Sequence, residues 1–406
     1  MIAGIPYQDL LVYISIPITT GIIGWFTNWL AVQMIFAPRE FKGIWKFGWQ
    51  GIIPHHSVKM SGVITRILTE KLIKPEELYK RIDPDKITEL ISGLVDYKAR
   101  ELVEKLIKAQ NPMLWNVIPD FVKSNIIDEV RKQIPNQIRD IYNEFGEDLD
   151  KAFDLESVVS TSLSGKNTSY LIEMFRRCGG PEFGFIVKSG LWFGLGIGVL
   201  QLGFIHWLNQ WWVMPIMGLI VGYVTNWLAL QMIFRPLEAR KFFGMIYYQG
   251  LFLKRQPEVS YEFADVLEKR VFHTENLIRM IFEGKGGDLL IQLVRDKAAE
   301  GVEQAVKNTP VIPMMINDEQ KQLMKEQTAN MLVGAVPQVA DRVETYIVDA
   351  LDIKQTVARR LSFLPPSEFE ELLHSVFKED ELTLIALGAF LGGMVGLMQA
   401  FLVFFS

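Results

Sequence analysis

The sequence predicts an all-α, membrane-integral protein made of two tandem repeats. Each repeat is a transmembrane helix, a long cytoplasmic helical domain and a second transmembrane helix. Three observations predict this: four long apolar runs, polar stretches of helical period between them, and one motif that occurs twice. The first copy reads Gly24-Trp-Phe-Thr27-Asn28-Trp29-Leu-Ala31-Val-Gln33-Met34-Ile-Phe36-Ala-Pro38. The second reads Gly222-Tyr-Val-Thr225-Asn226-Trp227-Leu-Ala229-Leu-Gln231-Met232-Ile-Phe234-Arg-Pro236.

The apolar runs come first. Residues 10–36, 189–207, 211–234 and 382–405 are each long enough to cross about 30 Å of hydrocarbon, allowing for tilt. Pro17, Gly21 and Gly24 would break a helix in water, but neighbouring helices re-satisfy the freed backbone groups in a membrane. The polar loops occupy 39–187 and 235–381. In the first, Ile87, Ile91, Leu94, Ala99, Leu102 and Leu106 share a face with Leu90, Val95 and Val103, which predicts an amphipathic helix over Pro84–Lys108. Asp83-Pro84 supplies its N-cap and first helical position. Strand signatures are scarce, so both loops are expected to be helical.

The repeat can be tracked by its offset. Pro17 and Pro215, Thr27 and Thr225, Asp154 and Asp352, and Gln201 and Gln399 all lie 198 positions apart. The repeats are therefore drawn as 1–207 and 208–406.

Totals narrow the function. Hydrophobic residues make up 49% of the 406 positions and charged residues 22%, so soluble helical segments alternate with very apolar ones. A net charge of −5 argues against nucleic acid as the main partner, because phosphate binding needs a basic face. Cys178 is the sole cysteine, which excludes an intramolecular disulfide and a cysteine metal site. The start of the chain has no basic region and does not resemble a removable signal peptide.

Charge also predicts orientation. Arg39, Lys42, Arg176, Arg177, Lys188, Arg235, Arg240 and Lys378 flank the loop side of the runs. The opposite side carries no Lys or Arg. The positive-inside rule then places both loops in the cytoplasm, for a multi-pass protein of the cell (inner) membrane.

Candidate site residues fall in two groups. Thr27, Asn28 and Gln33, with Thr225, Asn226 and Gln231, put polar groups inside apolar runs, where each needs a partner. Helix packing is the leading reading, with each asparagine bonding its counterpart or a backbone carbonyl. A polar path for an ion or small solute is the alternative. Gly194, Gly198 and Gln201, with Gly392, Gly396 and Gln399, predict a close helix crossing of the small-xxx-small kind. The second group lies just after each motif: Trp45, Trp49, His55 and His56 in one half, and Arg235, Tyr247, Tyr248, Lys254 and Arg255 in the other. Aromatic residues followed by basic ones suit contact with lipid headgroups. No metal site is expected at His55-His56, because Lys254-Arg255 stand at the matching positions. No phosphate loop, His-Glu-x-x-His or Gly-x-Ser-x-Gly occurs, so neither catalytic residues nor a cofactor is expected.

The doubled motif, followed by Gln50-Gly51 and Gln249-Gly250 with their trailing basic segment, resembles the YheB/YjiN-like family of bacterial integral membrane proteins. The resemblance implies membrane residence; no activity has been established for that family. The function expected is a non-enzymatic membrane scaffold or tether, or a lipid-handling protein. A transporter or channel along the Thr-Asn-Trp helices is the alternative. The expected partners are membrane lipids, with a further membrane or cytoplasmic protein and a homo-oligomer left open.

Overall fold

A computed structural model describes residues 7–404 apart from 45–46, 111–112, 150–152, 164–166, 209, 243–245, 309–316, 375–377 and 379. The chain forms two compact units. The first comprises Met1–Leu68, Ser160–Leu267 and Lys354–Ser406; the second comprises Thr69–Val159 and Glu268–Ile353.

The first unit holds the apolar runs. Helix α1 spans Tyr7–Phe36 and ends before Pro38, which cannot continue it. A hairpin follows, β1 Lys42–Ile44 against β2 Phe47–Trp49, and then α2 Ile52–His55 and α3 Ser57–Ile67. This departs from the wholly helical loop that the sequence predicts. Glycine is what permits it: a Cβ on Gly48 would lie 2.6 Å from the Lys42 carbonyl oxygen and 2.7 Å from Gly43 Cα. The second half has its own hairpin, Arg240–Phe242 (β3) against Ile246–Tyr248 (β4).

The other long helices of this unit are α9 Thr168–Leu208, α10 Val213–Phe234 and α18 Glu381–Phe404. Helix α9 runs for 41 residues straight through Gly179, Gly180 and Pro181, so the predicted second run is only its C-terminal part. Among the described residues, three helices are long and apolar enough to cross a membrane: Thr168–Phe204, Val213–Phe234 and Glu381–Phe401. Helix α1 carries the first of the apolar runs. It packs lengthwise on α9, just as α10 packs on α18, and α9 meets α10. Outside the apolar bundle, this unit also contains α11 Leu251–Lys254, α17 Pro366–His374, and most of α12 Gln256–Arg270 and of α16 Ile353–Ser362. Gln256 ties α12 to the end of α16, donating to the carbonyls of Leu361 (3.0 Å) and Leu364 (2.9 Å).

The second unit draws on both polar loops. Its long helices are α5 Pro84–Gln110, α7 Asp120–Glu147, α14 Gly284–Asn308 and α15 Asp318–Leu351. Shorter helices complete it: α4 Pro75–Tyr79, α6 Leu114–Val117, α13 Thr274–Phe282 and the start of α8 Leu155–Leu163. The predicted cap at Asp83 forms, its carboxylate accepting from the Asp85 amide at 2.9 Å. Asn317 and Gln320 form a reciprocal capping box at the start of α15. Helix α5 contacts α7, α7 contacts α14, α14 contacts α15, and α15 returns to α5, so the four long helices close a ring. Ion pairs join neighbours around it: Arg131–Asp96 at 2.6 Å (α7 to α5), Lys297–Glu144 at 2.5 Å (α14 to α7) and Lys325–Glu303 (α15 to α14).

Candidate functional site

The ring of four helices does not fill its centre. Its inward stripes line an elongated cavity of about 1290 Å³. Packed interiors have few voids larger than a water molecule, and pockets for drug-sized ligands run to about 1,000 Å³, so this space is large on either scale. Along α7 the lining extends from Val122 to Phe145, and along α15 from Gln320 to Ile347. At 1.5 Å per residue these are lengths of about 35 and 40 Å.

The wall is mainly aliphatic. Helix α5 contributes the stripe expected from its periodicity, including Ile87, Val95 and Leu106; Leu90 is absent from the lining. Helix α7 adds Val122, Ile126, Val130, Ile134 and Ile138, α14 adds Leu290 and Val294, and α15 adds Leu332, Val336 and Val339. Many of these are only half-buried although they point inward. Residues of both loops thus build one cavity, and none of its lining residues is among the site residues expected from the sequence.

Aromatic rings form one end of the lining. Tyr79 stacks on Tyr142 with centroids 4.5 Å apart and also contacts Phe145 and Phe153. The two tyrosines exchange bonds: Tyr79 OH donates to the Tyr142 carbonyl (2.7 Å) and Tyr142 OH to the Tyr79 carbonyl (3.1 Å). Burial, reinforced by Tyr142, pushes the Tyr79 phenol well above its usual range.

The residues singled out from sequence lie in the first unit. Asn28 and Asn226 do not bond each other. Asn28 Nδ2 donates to the Ile186 carbonyl at 2.7 Å, and Asn226 Nδ2 to the Leu384 carbonyl at 2.9 Å. Both bonds join residues 158 positions apart. Their Oδ1 atoms are buried without a partner among the described residues. Thr27 and Thr225 turn back onto the carbonyls of Gly24 (3.2 Å) and Gly222 (3.5 Å). Gln33 is exposed, whereas Gln231 donates to Glu381 at 3.3 Å.

The glycines sit at helix crossings. A Cβ on Gly194 would lie 2.6 Å from the Thr20 carbonyl oxygen, and one on Gly198 2.6 Å from Pro17 Cα. Gly396 stands equally close to the Met214 carbonyl, and Gly392 faces the backbone of Gly218. Gln201 accepts from Thr20 Oγ1 at 3.1 Å, while Gln399 donates to Thr19 Oγ1.

Most of the aromatic-basic group is engaged within the protein. Trp45 lies outside the described residues. Trp49 Nε1 donates to the Met34 carbonyl at 3.3 Å, and Tyr248 OH donates to the Met232 carbonyl. Arg235 pairs with Glu370 at 3.2 Å. Arg255 pairs with Glu182 at 2.7 Å, the Glu182 side chain being only 1% exposed, and His56 contacts Asp380 at 2.7 Å. Glu182 and Asp380 lie 198 positions apart, and His56 and Arg255 199 apart. His55, Tyr247 and Lys254 are exposed, with Lys241 lying over the Tyr247 ring.

An apolar helical bundle of this kind, with three helices able to cross a bilayer, defines a helical membrane protein. Related proteins are described as membrane proteins too. The chain is 22% identical over 427 residues to a UPF0754 membrane protein of Nostoc sp., covering 98% of this chain and 97% of that one. It is 23% identical over 414 residues to a UPF0754 membrane protein of Bacillus cereus, covering 97% and 99%. A third relative, the UPF0754 membrane protein of Nostoc punctiforme, is 21% identical over 417 residues, with 97% of each covered. These names state a membrane location and no activity. No family model matches the chain, and no solved structure matches it.

Proposed function

We propose that this is a non-enzymatic, multi-pass membrane protein that handles lipid, with the long cavity of its helical unit as the place where lipid chains lie. The cavity is the observation that carries this reading: a continuous aliphatic wall over about 35 to 40 Å, far longer than a compact ligand needs. Apolar side chains left half-exposed inside a bundle gain roughly 0.8 kcal/mol for every methylene that an apolar occupant shields from water. A chain with membrane-crossing helices stands beside the richest source of such an occupant.

The chain is further proposed to be a tandem duplication with four spans and both loops cytoplasmic. The matched bonds of Asn28 and Asn226, the paired hairpins and the reciprocal contacts of Glu182 and Asp380 support the duplication. The basic residues on the loop side support the orientation. The alternative, a solute path at the Thr-Asn-Trp helices, gains little from the geometry, since both asparagine Nδ2 groups are committed to backbone carbonyls.

The test is to purify the whole protein in mild detergent and identify copurified lipid by native mass spectrometry. Bound lipid that is lost when the cavity is filled by Ala298→Phe and Val302→Phe supports lipid handling. Lipid retained by a folded, filled variant overturns it.

A further inference from the structure

One face of the cavity wall is not apolar. Asn125, Glu129, Gln133 and Gln137 all line it from α7 at four-residue intervals. That spacing stacks them on one side of the helix, as a polar ladder about 18 Å long. Beside it, at the same spacing, runs the aliphatic row Val122, Ile126, Val130, Ile134 and Ile138. The cavity is thus two-toned along its length rather than uniformly greasy. Among the described residues, only the last rung is engaged by a neighbouring helix, Gln137 Nε2 donating to the Lys297 carbonyl at 3.4 Å.

The charges are placed at one level. Ala99 and Val103 of α5 pack with Ile127 of α7, which puts Lys98 beside the level of Glu129. Lys98 also lines the cavity and is held at 2.9 Å by Glu101. The ladder therefore offers three uncharged amides, one carboxylate and one nearby ammonium group.

Taking the lipid-handling reading as its basis, we propose that the occupant is a two-chain glycerophospholipid with an ammonium-bearing headgroup. Its acyl chains lie against the aliphatic rows, and its ester and headgroup region follows the α7 ladder. Amide groups both donate and accept, so they match ester carbonyls and phosphate oxygens without fixing the lipid at one rung. Glu129 meets the ammonium group and disfavours a headgroup of net negative charge. The dimensions agree. An acyl chain occupies half of a hydrocarbon core about 30 Å thick, roughly 15 Å, and the cavity is more than twice as long. A bound lipid thus has room to move along the ladder, which a pocket cut to one molecule would not allow.

The experiment uses the full-length protein in nanodiscs of phosphatidylethanolamine and phosphatidylglycerol in equal amounts. Lipid retained after transfer to detergent is quantified, and binding of a pyrene-labelled fatty alcohol is measured in parallel. The ladder variant Asn125→Leu/Gln133→Leu/Gln137→Leu should keep the fatty alcohol and lose phospholipid about tenfold, the effect of about one lost polar interaction. Glu129→Gln should lower the ratio of phosphatidylethanolamine to phosphatidylglycerol retained to about one. Unchanged phospholipid on a folded ladder variant would overturn the assignment of the ladder. Wild-type protein that retains phosphatidylglycerol as well as phosphatidylethanolamine would overturn the headgroup. If neither phospholipid nor fatty alcohol binds wild-type protein, the lipid-handling reading itself falls. Thermal melts within a few degrees of wild type certify that each variant is folded.

Discussion

Asn28 and Asn226 show how a polar side chain is kept inside an apolar run. Each lends its amide hydrogens to a carbonyl on the helix alongside, and each leaves Oδ1 unmatched. Interhelical bonds of this kind are worth about 0.6 kcal/mol on average in membranes, and truncation adds a small void. Asn28→Ala and Asn226→Ala should therefore each cost about 1–2 kcal/mol, read from unfolding in detergent. Because the two bonds involve separate helix pairs, the double variant should be additive within about 0.5 kcal/mol. Strong coupling between them, or loss of solute flux in a protein of normal stability, would instead favour a shared polar path. Glu182 is a second informative residue. Its carboxylate is almost fully buried against Arg255, so Arg255→Met should destabilise by about 3 kcal/mol, the cost of stranding a buried charge. Tyr79 gives a pH signature. Its phenol is favoured in the neutral form by burial, so its contribution is intact below the ordinary tyrosine pKa of about 10 and declines as pH rises beyond it. Urea melts should show wild type losing more stability than Tyr79→Phe between pH 9 and 11.

Among the elements, α1 with α9 and α10 with α18 depend on glycine at their crossings. A methyl group at Gly194 runs into the Thr20 carbonyl and Gly21 Cα, both backbone atoms that can yield only by separating the helices. At Gly196, two residues on, nothing stands within 4 Å of an added Cβ. Gly194→Ala should lower the melting temperature measurably, whereas Gly196→Ala should be neutral or stabilising by up to about 1 kcal/mol, through helix propensity alone. Equal effects at the two sites would remove the close crossing from the account. The hairpins β1–β2 and β3–β4 illustrate what periodicity misses. Three-residue strands are too short to show alternation, and the first hairpin involves a close backbone approach at Gly48 that no composition rule reports.

Across the whole molecule, the local pattern was legible and the long-range pairing was not. The 3.6-residue stripe from Ile87 to Leu106 announced an amphipathic helix, and the Thr-Asn-Trp motifs marked α1 and α10, whose asparagines each bond the helix alongside. Nothing in either loop said that α5 and α7 would close a ring with α14 and α15, helices roughly two hundred residues further along. That ring is what turns four ordinary apolar stripes into one cavity. The α7 ladder was hidden for a related reason: polar residues every fourth position describe a solvated helix face until the ring turns that face inward. The aromatic-basic group was legible as a feature, but its charges are largely spent on Glu182, Glu370 and Asp380, which lie far away in sequence.

The most direct measurement of the central claim is native mass spectrometry of the full-length protein, wild type beside Ala298→Phe/Val302→Phe. Phospholipid at one or more equivalents is expected on wild type and a loss of at least tenfold on the filled variant, with both proteins melting alike. Wild-type protein free of lipid, or lipid that stays when the cavity is filled, would contradict it.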